Sequence, residues 1–318
     1  MIGNLELGVI GNCQVSALID QRGRYVWACL PRLDGDPVFC SLLQESDSET
    51  ARGFFVVELE GFASARQHYW RNTAILETTL TANDGAAIRV LDFCPRFRQF
   101  GRNFRPVSII RIIEPIAGHA VIRVRLRPSG AYGAHIPKRH VGSNHLRYEA
   151  GDATWRFSTD MSLNAVLEER AVVLRGRVTF MLGADDPVTE SLASLASRFL
   201  GETRRYWSDW TRELAIPFEW QAAVIRAAIT LKLCSFEDTG AVVAALTTSI
   251  PEAKNSGRNW DYRYCWLRDS YFTIQALNRL GATRTMEGYL HYITNVFTAA
   301  RDAPLQPVYG ISGEPQLT

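Results

Sequence analysis

Residues 7 to about 182 form a succession of short runs with the signature of β-strands, without intervening helices. The clearest run is 119–127, where Ile122, Val124 and Leu126 alternate with Arg123, Arg125 and Arg127. Successive side chains on a strand point to opposite faces, so this segment buries one face and wets the other, as antiparallel strands do. Runs at 17–19 and 25–29 flank Arg22-Gly23, which reads as a hairpin turn. Others lie at 54–59, 75–80, 87–93, 107–113, 145–148, 154–158, 171–174 and 177–182. So many strands with no crossover helices predict a large antiparallel β-sandwich.

The pattern changes at Gly183-Ala184-Asp185-Asp186-Pro187. Asp186, Pro187 and Glu190 together make a helix start: a side-chain cap, a proline in the first turn and an acid near the positive end of the dipole. Helical spacing then runs through Leu192, Leu195 and Phe199 to Tyr206, Trp207, Trp210 and Leu214. A second helix is expected at 218–236 on Val224, Ala228 and Leu231, followed by a small-residue loop at 239–252. The next helix should bury Phe272, Ala276, Leu277 and Leu280 and end at Gly281. A further one should bury Met286, Leu290, Ile293 and Phe297, and 305–318 reads as loop. The expected organisation is a β-domain over 1–185, a helical linker over 186–216 and a helical domain over 217–318.

With 35 Lys+Arg against 33 Asp+Glu the net charge is +2, which gives no global drive toward nucleic acid or an anionic membrane. No apolar run approaches the length that spans a bilayer, and the first residues lack the parts of a signal peptide, so a cytoplasmic location is expected. The six cysteines lack CxxC spacing and read as free buried thiols. The segment 96–105, RFRQFGRNFR, interleaves four arginines with three phenylalanines; the favoured reading is a loop whose rings pack inward, against a single-stranded nucleic-acid platform. His135, His140 and His145 are joined by no Cys or acid at a recognised ligand spacing, so no metal is expected. Without a GxSxG elbow, a phosphate loop or a dinucleotide fingerprint, no cofactor is expected either.

The least ordinary stretch is 259–277, NWDYRYCWLRDSYFTIQAL. Its first eleven residues hold two Trp, two Tyr, two Arg and two Asp. Rings cover the apolar faces of a pyranose, while a planar guanidinium and a carboxylate each engage vicinal hydroxyls with directed bonds. Burying so many charges without partners would cost several kcal/mol each, so a sugar-holding wall is the better reading than a core segment. An Asp ahead of an apolar helix can equally be a cap, and for Asp269 both readings stand.

Five stretches together resemble glycoside hydrolase family 15, the glucoamylases and bacterial trehalase-like enzymes: IGNCQVSALID, WACLPRLDGDPVF, TGAVVAALTTSIPE, RNWDYRYCWLRDSYFTIQAL and LQPVYGISGE. The resemblance implies a trehalase-like N-terminal β-sandwich (a supersandwich) and a catalytic (α/α)6 toroid that hydrolyses terminal α-glucosidic bonds with inversion. By position, Tyr262 and Trp266 match the rings beside the innermost glucose, and Arg268 and Asp269 match the pair that bonds its hydroxyls. Trp260 and Tyr309 lie in matching motifs. An inverting enzyme of this kind needs an acid and a base carboxyl roughly 6.5–9.5 Å apart. Neither family glutamate has a matching position here; Asp261, Asp269 and Glu314 are the nearby acids, none of them where the family places its acid or base. The expectation is a truncated family member with an incomplete toroid, inactive alone, whose remainder is either cut off from this sequence or supplied by a separate chain that completes the toroid. The alternative is a non-catalytic carbohydrate-binding or interaction protein built on the β-domain.

Overall fold

The computed structural model describes residues 5–44, 50–248, 253, 256–300 and 304–317. The chain divides into two compact units, Met1–Tyr206 and Trp207–Thr318.

The strands of the first unit begin with β1 (Gly8–Gly11), β2 (Ser16–Ile19), β3 (Tyr25–Cys29), β4 (Pro37–Phe39), β5 (Phe54–Leu59), β6 (Phe62–Tyr69), β7 (Leu76–Ala82) and β8 (Ala87–Phe93). They continue with β9 (Phe97–Gln99), β10 (Arg102–Phe104), β11 (Ser108–Ala117), β12 (Val121–Arg127), β13 (Lys138–Val141), β14 (His145–Ala150), β15 (Ala153–Thr159), β16 (Ala171–Val173) and β17 (Val178–Ala184). One antiparallel sheet runs β1-β2-β3-β5-β12-β16 with β4 on β3, and the other runs β13-β14-β15-β17-β11-β8-β7-β6. The alternation in β12 is realised in the structure: Ile122, Val124 and Leu126 are buried, and the three arginines between them are not. The predicted turn at Gly23 joins β2 to β3, with Gly23 at φ +78°.

The two sheets share one core. Ile10, Val57, Ile122 and Val124 of the first meet Ile88, Val90, Ile113 and Leu182 of the second. Phe55 stands edge-on to Phe157 and Phe180 at 5.7 and 5.6 Å. The second sheet is also covered on its other face. Leu91, Phe93, Ile110 and Ile112 pack on Leu195, Ala196 and Phe199 of a helix, which is why β8 and β11 are apolar on both sides while β12 is not.

That helix, α2 (Leu192–Arg212), follows a short α1 (Leu163–Leu167) and starts later than the expected cap at Asp186. Strand β17 runs on to Ala184, the Asp185 carboxylate is held by Arg156 and Arg147 at 2.8 and 2.7 Å, and residues 186–191 form an irregular connection before the helix. The segment 96–105 is a hairpin of β9 and β10, not an open loop. Its rings pack inward, Phe97 on Phe104 at 4.7 Å and on Phe199 at 5.4 Å, with Phe100 exposed at the turn. Arg96 is fully buried; it donates to the Asn12 carbonyl at 2.7 Å and covers the Tyr206 ring. Asn12 in turn donates to the carbonyls of Pro95 and Pro106, so the early IGNCQVSALID stretch ties the roots of this hairpin together.

The second unit holds α3 (Gln221–Leu233), α4 (Leu267–Arg279) and α5 (Thr283–Ala300). Between and after them lie short ladders: β18 (Ser235–Phe236) with β19 (Ala241–Val242), and β20 (Cys265–Trp266) with β21 (Val308–Tyr309). Leu214, Ala228, Leu277 and Ala282 form its centre. Gly281 follows α4 at φ +79°, as expected. Two buried faces differ from expectation. In α4 the buried residues are Ser270, Ile274 and Leu277, while Phe272 is 64% exposed and Ala276 is exposed too. In α5 they are Thr285, Tyr289, Tyr292 and Val296, one position from the expected stripe, and Leu290 and Phe297 are exposed. Helix α5 carries two apolar stripes of the same period. The structure buries the one whose Tyr292 hydroxyl can donate to the Gly310 carbonyl, at 2.7 Å.

Candidate functional site

The stretch ahead of α4 is held from both sides by backbone hydrogen bonds. On one side Ala245 and Ala244 donate to the carbonyls of Tyr262 and Tyr264 at 2.9 and 3.2 Å, and Thr248 bridges to Asp261. On the other, Cys265 pairs with Tyr309 and Trp266 with Val308, and Leu267 donates to the Pro307 carbonyl. The small-residue segment 239–248 and the segment 307–309, both expected as loop, therefore contribute short strands; residues 249–252 of the first lie outside those described. Gly240, at the start of the first segment, packs so closely on α5 that a Cβ there would stand 2.0 Å from the Gly288 carbonyl oxygen.

The segment runs from a bridge at Asp261 through a turn at 262–263 to the short strand Cys265–Trp266, and its side chains divide between a buried and an accessible side. Asp261, Arg263 and Cys265 turn inward, and Arg263 is only 4% exposed despite its charge. Trp260, Tyr262 and Trp266 stay on the accessible side. Trp260 meets Trp266 edge to face at 6.2 Å, and Tyr262 meets the same indole at 6.2 Å and 55°. The Trp266 indole N–H donates to the Asp261 carbonyl at 2.9 Å, so the ring offers its π-surface and not a donor.

Arg268 and Asp269 follow in the first turn of α4, paired at 3.3 Å, with side chains 78% and 36% exposed. Asp269 does not cap the helix. It is the third helical residue, the capping position belongs to Trp266, and no side chain makes a cap bond there. Its charge still sits at the positive end of the helix dipole. Ser270 anchors this turn, donating to the carbonyls of Trp266 and Val242 at 2.9 and 3.0 Å. Tyr309 is buried on the Cys265 side of the ladder, and its hydroxyl accepts from the Gln306 N–H. Of the other acids, Asp261 is neutralised by Arg263, and Glu314 accepts from the Ser312 N–H at 3.0 Å. Burial pushes the Cys265 thiol and the Tyr292 phenol up, so neither is ionised near neutrality. Among the described residues no group of three His, Cys, Asp or Glu side chains could hold a metal ion.

Sequence reasoning singled out the rings and the Arg268–Asp269 pair but passed over Arg263 and its role beside Asp261. The signal was present in W-D-Y-R-Y-C-W, where rings recur at every second position through 260, 262, 264 and 266.

Architecture and site together define a β-plus-α protein in which a two-sheet unit precedes a helical one that carries an aromatic and charged wall at the mouth of a helix. Residues 220–317 match Glycosyl hydrolases family 15, and residues 5–154 match Trehalase-like, N-terminal. Similar proteins include Trehalase of Thermoplasma volcanium, 26% identical over 98% of this chain and 50% of that protein. Trehalase of Mycolicibacterium smegmatis is 28% identical over 98% and 50%, and Trehalase of Mycobacterium tuberculosis 28% over 98% and 49%. The chain is thus similar to glycosyl hydrolase family 15 over its helical part and to trehalase-like N-terminal segments over its β-part, and it spans about half the length of the curated relatives it matches.

Proposed function

We propose that this chain is the sugar-holding part of an enzyme that hydrolyses a terminal α-glucosidic bond with inversion. Trehalose is the favoured substrate, because the similar proteins are named trehalases, and short α-glucans are the other class. The observation that carries the reading is the cluster of Trp260 and Tyr262 around Trp266, directly followed by Arg268 and Asp269. Stacked rings cover the apolar face of a glucose while the exposed guanidinium and carboxylate bond its hydroxyls. Tyr309 backs this wall from the buried side.

The acid and base carboxyls of an inverting reaction have no counterpart among the described acids near this wall. The reading therefore assigns hydrolysis to a completed (α/α)6 toroid, whose further helices come from elsewhere in the same protein or from a separate chain, and expects this chain alone to be inactive. The exposed Phe272 of α4 and Leu290 and Phe297 of α5 support it, since such apolar faces are the ones neighbouring helices cover. A neutral glucoside, in the cytoplasm, is the expected partner. Among the described residues no helix is long and apolar enough to cross a membrane.

One observation favours the alternative, a non-catalytic carbohydrate-binding protein built on the β-unit. A cleft of about 690 Å³ there is lined by Ser143, Asn144, Asp160, Ser162, Asn164 and Ser191, among others. Titrating the chain calorimetrically with trehalose and maltose, alone and together with a segment that supplies the remaining family helices, separates the two. Hydrolysis that appears only in the completed protein, and is lost in Trp266→Ala, supports the enzyme. Tight glucoside binding by the chain alone that survives Trp266→Ala would overturn it in favour of the β-unit.

A further inference from the structure

We infer that Asp261 and Arg263 are a positioning pair for the ring wall: a buried ion pair, outside the wall itself, that sets where the Trp266 indole stands. The carboxylate of Asp261 grips residue 263 through both of its oxygens. Oδ1 accepts from the Arg263 backbone N–H at 2.9 Å and from its Nε at 3.0 Å, while Oδ2 accepts from Nη2 at 2.6 Å. A planar guanidinium that meets a carboxylate along two parallel bonds fixes the relative orientation of the two residues, which a lysine ammonium cannot do.

The guanidinium is buried, with Arg263 4% exposed, while Asp261 keeps 22% of its side chain accessible. A guanidinium so placed is held firmly, because without its carboxylate it would be stranded away from water. What they hold is the peptide of residue 261. Its carbonyl accepts the Trp266 indole N–H, and Trp266 is the ring that both Trp260 and Tyr262 contact. A continuous chain of directed contacts thus runs from the Arg263 guanidinium through the Asp261 carboxylate and carbonyl to the indole, and from there to the other two rings. Trp260, Tyr262 and Trp266 present the surface, and Asp261 and Arg263 lock its geometry. Since the wall is rigid only if the indole is, a sugar stacked on it meets a preorganised face.

The functional half of this inference rests on the sugar-wall reading; the structural half does not. Both are read from ¹⁵N-labelled tryptophan side chains of the full chain, with the Trp266 indole resonance assigned by Trp266→Phe. In Arg263→Ala the Trp266 indole proton should exchange with solvent faster by about tenfold, the factor that corresponds to one hydrogen bond of ordinary net strength. The indole of Trp207, fully buried and in the same unit as the wall, should keep its protection and report that this unit is folded. Arg263→Lys, which keeps the charge without the fork, should fall between, and carries the test if the alanine variant does not fold. Unchanged Trp266 exchange in whichever of these variants folds would overturn the positioning role, whatever the ligand. Trehalose titrated into the parent chain should shift the Trp260 and Trp266 indole resonances, and in Arg263→Lys the same shifts should need several-fold more sugar. If trehalose shifts no indole in either protein while exchange responds as expected, the pair stands and the sugar reading fails. Equal sugar dependence in both proteins would overturn the claim that the pair serves binding.

Discussion

Arg111 and Asp92, on the neighbouring strands β11 and β8, meet at two points inside the β-sandwich: Nε to Oδ1 at 2.8 Å and Nη2 to Oδ2 at 3.0 Å, both side chains essentially without solvent. The opposite sheet completes the arrangement. Tyr25 donates its hydroxyl to Asp92 Oδ1 at 2.7 Å, Arg111 reaches the Gly23 carbonyl, and the guanidinium lies over the rings of Tyr25 and Phe55 at 4.3 and 4.7 Å. Burial by itself would lower the arginine's affinity for its proton, but the charge of Asp92 outweighs it, and burial beside that carboxylate pushes the Tyr25 phenol well up. The network ties the turn between β2 and β3 to the middle of the other sheet.

Asp92→Ala leaves that guanidinium charged and unpaired in the core. Loss of one partner of a buried pair costs about 3–5 kcal/mol, so the urea midpoint of the β-unit should fall sharply. Asp92→Asn keeps an acceptor and should cost less. The comparison is made by urea unfolding followed through the fluorescence of Trp27, which is buried in the same unit. Equal midpoints for the parent and Asp92→Ala would show that the network adds nothing to stability.

A second prediction concerns Gly240. Its φ is +91°, and a Cβ there would stand 2.0 Å from the Gly288 carbonyl oxygen. Gly240→Ala therefore meets both a disfavoured backbone and a rigid helix, for a loss of at least about 2 kcal/mol. Because residues 244 and 245 bond to the backbone of Tyr264 and Tyr262, the same change should loosen the ring wall. Thermal unfolding of the variant, together with its Trp266 indole exchange, checks both effects.

How far the sequence predicted the molecule depended on whether one periodicity had one meaning. In β12, apolar and arginine residues alternate with no competing pattern, and the strand appears where expected. Strand β6, FASARQHY, lies at the edge of its sheet with most side chains exposed; a strand wet on both faces leaves no alternation to read. Helix α5 was legible as a helix, but its two apolar stripes made the buried face ambiguous, and only the hydrogen bond from Tyr292 to Gly310 decides it. At the wall, the residue types announced rings and charges. Which charge turns inward depended on the turn at 262–263 and the short strand after it, and these are held by segments 244–248 and 307–309, distant in sequence.

A third prediction follows from Glu169, which accepts from Arg127 at 2.6 and 2.8 Å and from Arg125 at 3.2 Å. Burial would raise its carboxyl, but the hydrogen bonds and charges of the two arginines prevail and hold it below the ordinary glutamate range. The unfolded chain restores the ordinary value, so the unfolded state binds the proton more readily. The group's contribution is present above the unfolded value and is lost as pH falls through the lower folded one. Glu169→Gln should therefore lower the urea midpoint most near neutral pH, and the gap to the parent should close below about pH 4. A gap that stays constant with pH would mean that packing, not charge, is what the glutamate contributes.

The last prediction separates substrate from scaffold at Asp269. Had this carboxylate capped α4, its replacement would weaken the helix and any loss of activity would be ambiguous. As the third helical residue without a cap bond, it contributes to stability only through the helix dipole and its exposed pairing with Arg268, about 1 kcal/mol or less each. Asp269→Asn in the completed enzyme should accordingly leave the melting temperature almost unchanged while trehalose hydrolysis falls by about 10- to 100-fold, the worth of a hydrogen bond from a sugar hydroxyl to a charged acceptor. Arg268→Ala should behave the same way, because its side chain is even more exposed and the fold rests on it even less. If both variants keep full activity, the exposed pair does not touch the sugar. The wall would then act through the rings of Trp260, Tyr262 and Trp266 alone, and replacing Trp266 by Phe, which removes the bond to the Asp261 carbonyl, would be the more damaging change.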